Sequence, residues 1–175
     1  MGRFSAALLY GTPRRKASAS SSMNKIAELL PAANIVLDLD ADSKPRLFDA
    51  VGALFERNSG LSKSVVTASL AARERLGSTG LGQGIAIPHG RIKGLAQATG
   101  AFVRLHAPIP FDAPDGRPVG QVFVLLVPEQ ATEAHLQLLS ELAQMFSERA
   151  FRDRLGAAGD PAELAQLFAT WKPAA

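Results

Sequence analysis

The stretch "GSTGLGQGIAIPHGR", residues 77–91, carries the most distinctive pattern in this chain of 175 residues. It joins a glycine-rich run to a short apolar segment. His89, one of three histidines in the chain, stands near its end, between a proline and a glycine. A histidine that only fills space in a core does not need such neighbours. The pattern therefore indicates a reactive histidine, and the surrounding residues limit the chemistry that it can perform.

Three common kinds of histidine site are poorly matched by this sequence. A metal site is disfavoured because the chain has neither an HExxH nor a His-x-His pattern. A serine hydrolase is disfavoured because Ser78 directly follows a glycine, which does not match G-x-S-x-G. The glycines at positions 80, 82 and 84 fit neither common nucleotide-binding motif. We therefore expect no metal, no cofactor and no direct use of ATP.

Nucleophilic attack by the imidazole itself fits the stretch better. A histidine with an ordinary pKa of about 6.5 is largely neutral at cellular pH and keeps a lone pair on one ring nitrogen. A transferred phosphoryl group mainly requires positioning and electrostatic stabilisation. Glycine backbone can approach its oxygens, the hydroxyls of Ser78 and Thr79 can donate to them, and Pro88 restricts the chain before His89. The stretch favours a phosphoryl acceptor in a loop.

Length and composition indicate one soluble globular domain. A chain of 175 residues is long enough for one substantial core, and 47% hydrophobic with 20% charged residues is close to the average for soluble proteins. No apolar run reaches the roughly 20 residues that cross a bilayer, so no membrane insertion is expected. The absence of cysteine excludes disulfides and thiolate chemistry and fits a cytoplasmic location.

The first 22 residues form a segment of different composition. They contain four basic residues and no acidic one, and they include the low-complexity run "ASASSS". Without those four, 15 basic residues stand against 16 acidic ones, so the net charge of +3 gives no argument for nucleic-acid binding. We expect residues 1–22 to be a disordered extension, with Met23 as an alternative start, ahead of a domain over residues 23–175. A functional tail is the alternative.

From Met23 onward, the sequence predicts alternating helices and strands. Ser43 is a plausible N-cap and Gly60 a stop for one of the helices. The run "VFVLLV" is apolar throughout, which is typical of a central strand covered on both sides. Helices are expected within residues 23–30, 43–60, 63–75, 132–146, 148–155 and 161–168, and strands at 35–39, 84–87, 100–105 and 121–127. The predicted fold is a single-domain α/β sandwich with a mixed β-sheet and helices on both faces.

The spacing of residues around His89 resembles a known signature. Glu74, six residues, "LG", two residues and then "IAIPHG" match the phosphohistidine signature of the IIA proteins of the bacterial phosphoenolpyruvate-dependent phosphotransferase system, in the mannitol/fructose group. The resemblance extends over roughly residues 23–171, and "ERLGSTGLGQGIAIPHGR" is most similar to the nitrogen-regulatory member. It implies the IIA mannitol/fructose-like fold. It also implies a phosphotransferase-type protein in which His89 is phosphorylated by a histidine phosphocarrier protein, HPr or its nitrogen-branch counterpart.

The resemblance also assigns roles to residues near His89. It places Arg73 in the catalytic site, where a guanidinium can hold two phosphoryl oxygens. The alternatives are a solvated arginine at a helix end and confusion with Arg75. Ser78, Thr79 and Gly90 are predicted to bind the phosphoryl group.

The two remaining histidines receive different predictions. His135 matches the second active-site histidine of the family. It follows the expected N-cap Thr132 by three residues, where the helix dipole favours a neutral imidazole. The alternative is a partly buried core histidine. His106 matches no family histidine, and we expect it at the surface near a strand end.

Three functions remain open at the level of sequence. The leading hypothesis is a regulatory carrier whose phosphorylation changes which proteins it binds, with potassium-transport or sensor proteins as the implied targets. The first alternative is a sugar-specific IIA protein that passes its phosphoryl group to a IIB domain, and the second is a binding module that has lost phosphotransfer. For either carrier, His89 is expected in a shallow, exposed depression with an apolar rim, because a partner's phosphohistidine must reach it.

Overall fold

The computed structural model describes residues 24–130 and 133–173. The predicted extension over residues 1–22 and the predicted N-cap Thr132 lie outside them. The described part contains, in chain order, α1 (Lys25–Glu28), a 3-10 turn (Ala32–Asn34), β1 (Ile35–Leu39), α2 (Lys44–Ser59), α3 (Lys63–Leu76), β2 (Gly80–Gly82), β3 (Ile85–Ala86), β4 (His89–Ile92), β5 (Thr99–Ile109), β6 (Val119–Pro128), α4 (Glu133–Ser147), α5 (Arg149–Ala157) and α6 (Pro161–Thr170). None of these helices is long and apolar enough to cross a membrane.

The strands form one mixed sheet with β6 at its centre. The order along the sheet is β1-β5-β6-β3-β2, and β4 also pairs with β6. β1 runs parallel to β5, β5 is antiparallel to β6, and β6 is parallel to both β3 and β4. The predicted mixed sheet with "VFVLLV" in a central strand is therefore confirmed.

Helices cover both faces of the sheet. α1, α4, α5 and α6 enclose one apolar core that includes Phe102, Phe123 and Leu125 from the sheet. α2 and α3 enclose a second core with Val122 and Val124. Successive residues of β6 point to opposite faces, and both faces are buried. This explains why its sequence is apolar at every position rather than at alternate ones.

The helix α2 begins and ends at the predicted signals. The Oγ of Ser43 accepts a hydrogen bond from the backbone N–H of Arg46 and caps α2. Gly60 ends that helix in the left-handed conformation, with φ of 71°, which glycine adopts without steric cost. α1 is shorter than predicted, with four residues.

The short strands around His89 were predicted incompletely. The strand expected over residues 84–87 is shorter, Ile85–Ala86, and β2 and β4 were not predicted. His89 was expected in a loop, but it is the first residue of β4. These segments contain glycine, histidine and arginine without apolar alternation. They are strands because their backbones pair with neighbouring strands, which sequence periodicity does not report.

Candidate active site

His89 begins β4 directly after Pro88, opposite Leu125 of the central strand. Its Nδ1 lies 2.9 Å from the backbone carbonyl oxygen of Ile87. A carbonyl oxygen only accepts hydrogen bonds, so Nδ1 carries the ring proton and donates it to Ile87. In the neutral imidazole the lone pair is then on Nε2. The fold thus selects the tautomer with the lone pair on Nε2.

His135 lies beside His89, although the two are far apart in the sequence. It is the third residue of α4, and the centroids of the two imidazole rings are 5.4 Å apart. The side chain of His135 is buried, and its Nδ1 has no hydrogen-bond partner among the described residues. His135 is therefore a buried histidine beside His89, and its role in the active site stays a prediction.

Arg73 reaches the same site from the last turn of α3. Its guanidinium donates a hydrogen bond of 2.8 Å to the carbonyl oxygen of Gly77, in the turn that follows the helix. Arg75 instead lines a groove between α2 and α3, together with Lys44. The helical rotation between positions 73 and 75 thus separates the two arginines, and Arg73 is the one brought to His89.

The surface around His89 consists of two open depressions that share Arg73 and His89. One has a volume of about 390 Å³ and is also lined by Ser69 and His135. The other has a volume of about 370 Å³ and extends towards Leu139. Each depression is lined by an exposed leucine, Leu76 (85% exposed) in the first and Leu81 (44%) in the second, and Leu136 (60%) follows His135 in the sequence. The geometry agrees with the expected shallow site with an apolar rim.

The hydroxyls of Ser78 and Thr79 already hold other parts of the protein. Ser78 Oγ donates to the carbonyl oxygen of Phe111 at 2.6 Å, and Thr79 Oγ1 donates to a carboxylate oxygen of Glu74 at 2.6 Å. Each hydroxyl has a single hydrogen to donate. Direct phosphoryl binding by these hydroxyls stays a prediction, and in this arrangement they fix the loop before β2 instead.

Gly90 allows α3 to lie close to β4. A Cβ atom at this position would overlap the Oγ of Ser69, on the face of α3 that packs against the strand. That hydroxyl donates to the carbonyl oxygen of Arg91 at 3.0 Å. The lack of a side chain at Gly90 therefore permits the approach of α3 that brings Arg73 to His89.

The surroundings of His89 favour its neutral form. Burial is the largest influence and lowers the pKa of His89. The hydrogen bond to the Ile87 carbonyl and the charge of Glu74 raise this pKa, whereas the charge of Arg73 lowers it, and the net direction is downward. A lowered pKa keeps the lone pair of the neutral imidazole available at cellular pH.

The three histidines are expected to titrate in two groups. Burial lowers the pKa of His135 as well. The exposed His106 instead has its Nδ1 hydrogen-bonded to a carboxylate oxygen of Asp38 at 2.9 Å, and this contact raises the pKa of His106. In an NMR titration, His89 and His135 should therefore lose their charge below pH 6.5 and His106 above it. If His89 is the phosphoryl acceptor, the rate of its phosphorylation should accordingly be retained as the pH falls to 6.5, where most of the imidazole is still neutral. A His89 midpoint above that of His106 would contradict this account.

Comparisons with known proteins agree with the signature around His89. Residues 28–171 match the family model described as Phosphoenolpyruvate-dependent sugar phosphotransferase system, EIIA 2. A nitrogen regulatory protein from Pseudomonas aeruginosa is 40% identical over 146 residues, which cover 83% of this chain and 95% of the relative.

Solved structures show the same fold. The crystal structure of the nitrogen regulatory protein IIA-Ntr from Neisseria meningitidis has 52% sequence identity and a TM-score of 0.79, covering 83% of this chain and 99% of that one. IIA mannitol from Escherichia coli, at 22% identity, has a TM-score of 0.68 over 79% of this chain and 98% of its own. The chain therefore belongs to the EIIA 2 family of the phosphoenolpyruvate-dependent sugar phosphotransferase system, and it is similar to nitrogen regulatory proteins of that family.

Proposed function

We propose that this protein is a regulatory phosphoryl carrier that accepts a phosphoryl group on Nε2 of His89 from a histidine phosphocarrier protein. The observation that carries the proposal is the hydrogen bond from His89 Nδ1 to the Ile87 carbonyl oxygen, on a histidine that lines an open surface depression. It leaves Nε2 as the ring nitrogen with a lone pair, on a histidine that another protein can approach.

The transfer exchanges one nitrogen–phosphorus bond for another. Nε2 of His89 attacks the phosphorus of the donor's phosphohistidine, and the electron pair of the broken bond stays on the donor nitrogen. A donor ring protonated on its other nitrogen leaves as neutral imidazole. The ring of His89 then takes up the positive charge, and its Nδ1–H keeps its bond to the Ile87 carbonyl. No proton has to enter or leave the site.

Arg73 and His135 support this exchange electrostatically. Arg73 uses one N–H for Gly77, and its other N–H groups can contact phosphoryl oxygens. His135 can also donate to the phosphoryl group, since its ring adjoins that of His89. Both groups offer donors where negative charge concentrates during transfer.

The regulatory role is supported by the identities of 40% and 52% to nitrogen regulatory proteins, against 22% to IIA mannitol. We expect phosphorylation to change the affinity for regulatory targets, such as potassium-transport or sensor proteins in the cytoplasm, because it adds charge beside the exposed leucines. Residues 23–175 would form the carrier domain, with residues 1–22 as an extension.

One experiment separates the candidate functions. Purified protein is incubated with phosphoenolpyruvate, the first enzyme of the system and its histidine phosphocarrier, and its intact mass is measured. A gain of one phosphoryl group supports a carrier, and an unchanged mass supports a binding module. Rapid passage of the label to a sugar-specific IIB domain would replace the regulatory proposal with a role in carbohydrate uptake.

Graded effects are expected from the supporting residues. Arg73→Ala and His135→Ala should each slow phosphorylation of His89 on the order of 100-fold without abolishing it, because each removes stabilisation and not the bond-forming nitrogen. Arg75→Ala and His106→Ala are the matched controls, and both should react at the wild-type rate. Rates are measured by quenched-flow labelling from the phosphorylated carrier. Equal slowing by Arg75→Ala and Arg73→Ala would contradict the assignment.

A further inference from the structure

Glu74 is a buried carboxylate that the chemistry described so far does not use. It follows Arg73 in the last turn of α3, and its side chain is only 7% exposed. A charged carboxylate loses favourable hydration on burial, so it is retained at low cost only where hydrogen-bond donors or a cation compensate.

Donors from two other parts of the chain meet this carboxylate. Thr79 contributes both its backbone N–H, at 3.1 Å, and its hydroxyl, at 2.6 Å. Lys44, from the start of α2, contributes its ammonium group at 2.9 Å. Glu74 is therefore paired with a cation, and it also accepts two separate hydrogen bonds from Thr79. Two bonds fix the position of Thr79 more strictly than one bond would.

Thr79, which Glu74 holds, is connected to His89 through backbone hydrogen bonds. The carbonyl oxygen of Thr79 accepts a hydrogen bond of 3.0 Å from the backbone N–H of Ile87. The carbonyl oxygen of Ile87 in turn accepts the Nδ1–H of His89. Hydrogen bonds thus run from the buried carboxylate to the segment that orients the nucleophile.

The same turn also holds Arg73. Its guanidinium donates to the carbonyl oxygen of Gly77, two residues before Thr79. A turn held at Thr79 therefore presents a fixed acceptor to Arg73 and a fixed partner to the strand before His89. Displacement of this turn would move both groups relative to each other.

We infer that Glu74 is a positioning residue that acts through Thr79 to hold His89 and Arg73 in the geometry for phosphoryl transfer, with Lys44 balancing its charge. The inference rests on the proposed phosphorylation of His89. A purely structural carboxylate would affect the stability of the fold and leave the reactivity of His89 unchanged in the folded protein.

Glu74→Gln tests the inference against a matched control on the same lysine. Asp112→Asn is that control, because Asp112 also pairs with Lys44, at 3.3 Å, but is 87% exposed. Glu74→Gln should slow single-turnover phosphorylation of His89 on the order of 10- to 100-fold, with little change in the carrier concentration that gives half the maximal rate. Asp112→Asn should react as the wild type does.

A second readout reports on His89 before any transfer. The charge of Glu74 raises the pKa of His89, so Glu74→Gln should lower the NMR titration midpoint of His89 relative to the wild type. Asp112→Asn should not move it. Thermal unfolding of each variant establishes that the compared proteins are folded.

Thr79→Val and Thr79→Ser decide the matter if Glu74→Gln does not fold. Valine has nearly the shape of threonine but no hydroxyl, whereas serine keeps the hydroxyl. We expect Thr79→Val to be slow and Thr79→Ser to retain most of the wild-type rate. Equal rates for these two variants, or a folded Glu74→Gln variant with wild-type rate and titration, would overturn this inference alone. A wild-type protein without label would overturn the proposed function, and with it this inference.

Discussion

His89→Ala is expected to abolish phosphorylation of the protein by a phosphorylated histidine phosphocarrier, because it removes the nitrogen that forms the bond to phosphorus. The fold should persist. His89 is partly buried, and its side chain contributes a hydrogen bond to the Ile87 carbonyl and contact with His135. We expect the substitution to cost about 1 kcal/mol of unfolding free energy. Intact-mass measurement after incubation with the donor gives the label, and chemical unfolding gives the stability.

His106→Ala is the matched control for this loss. It also removes one imidazole, but His106 contacts Asp38 and does not line the depressions around His89. It should keep full labelling. If His89→Ala retained the phosphoryl group while His135→Ala lost it completely, the roles of the two histidines would be reversed.

The largest effect on stability is expected from Phe168→Ala. The ring of Phe168, in α6, is fully buried and lies 5.3 Å from Phe102, 5.6 Å from Phe123, 6.2 Å from Phe146 and 5.4 Å from Phe151, measured between ring centroids. Removing it leaves a cavity among four aromatic side chains and takes away apolar contact area. The free energy of unfolding should fall by about 3–5 kcal/mol.

Urea denaturation measures this loss, with Leu76→Ala as the comparison. The side chain of Leu76 is 85% exposed, so its removal should change the unfolding free energy by no more than about 0.5 kcal/mol. Losses of similar size in the two variants would show that the aromatic cluster around Phe168 does not stabilise the domain as described.

The parts of the fold that the sequence predicts are those whose pattern reflects burial. β1 was predicted at its observed bounds, Ile35–Leu39. β6 was recognised by its apolar run, because both of its faces are covered. β2 and β4 were missed, since they consist mostly of glycine, histidine and arginine, and they are extended because β2 pairs with β3 and β4 pairs with β6. Backbone pairing of this kind leaves no apolar alternation in the sequence, and the partner of β4 lies far along the chain.

The candidate site was predictable to a different degree for each residue. His89 stands out through its neighbours, and Arg73 and His135 were assigned by resemblance to a family. The structure brings both beside His89. Glu74 was part of the recognised signature, but its partner Lys44 lies on another helix. No sequence spacing indicates that contact. The hydroxyl of Thr79 was predicted to bind the phosphoryl group. In the structure it donates to Glu74 instead, and the sequence gives no sign of that hydrogen bond.

The central claim is tested most directly by locating the phosphoryl group on the labelled protein. Wild-type protein enriched in nitrogen-15 is phosphorylated by the histidine phosphocarrier and examined by NMR for coupling between phosphorus and each histidine nitrogen. We expect coupling to Nε2 of His89, while Nδ1 keeps its proton and its hydrogen bond to the Ile87 carbonyl. Phosphorus attached to Nδ1 of His89, to His135 or to a side chain outside this site would contradict the account.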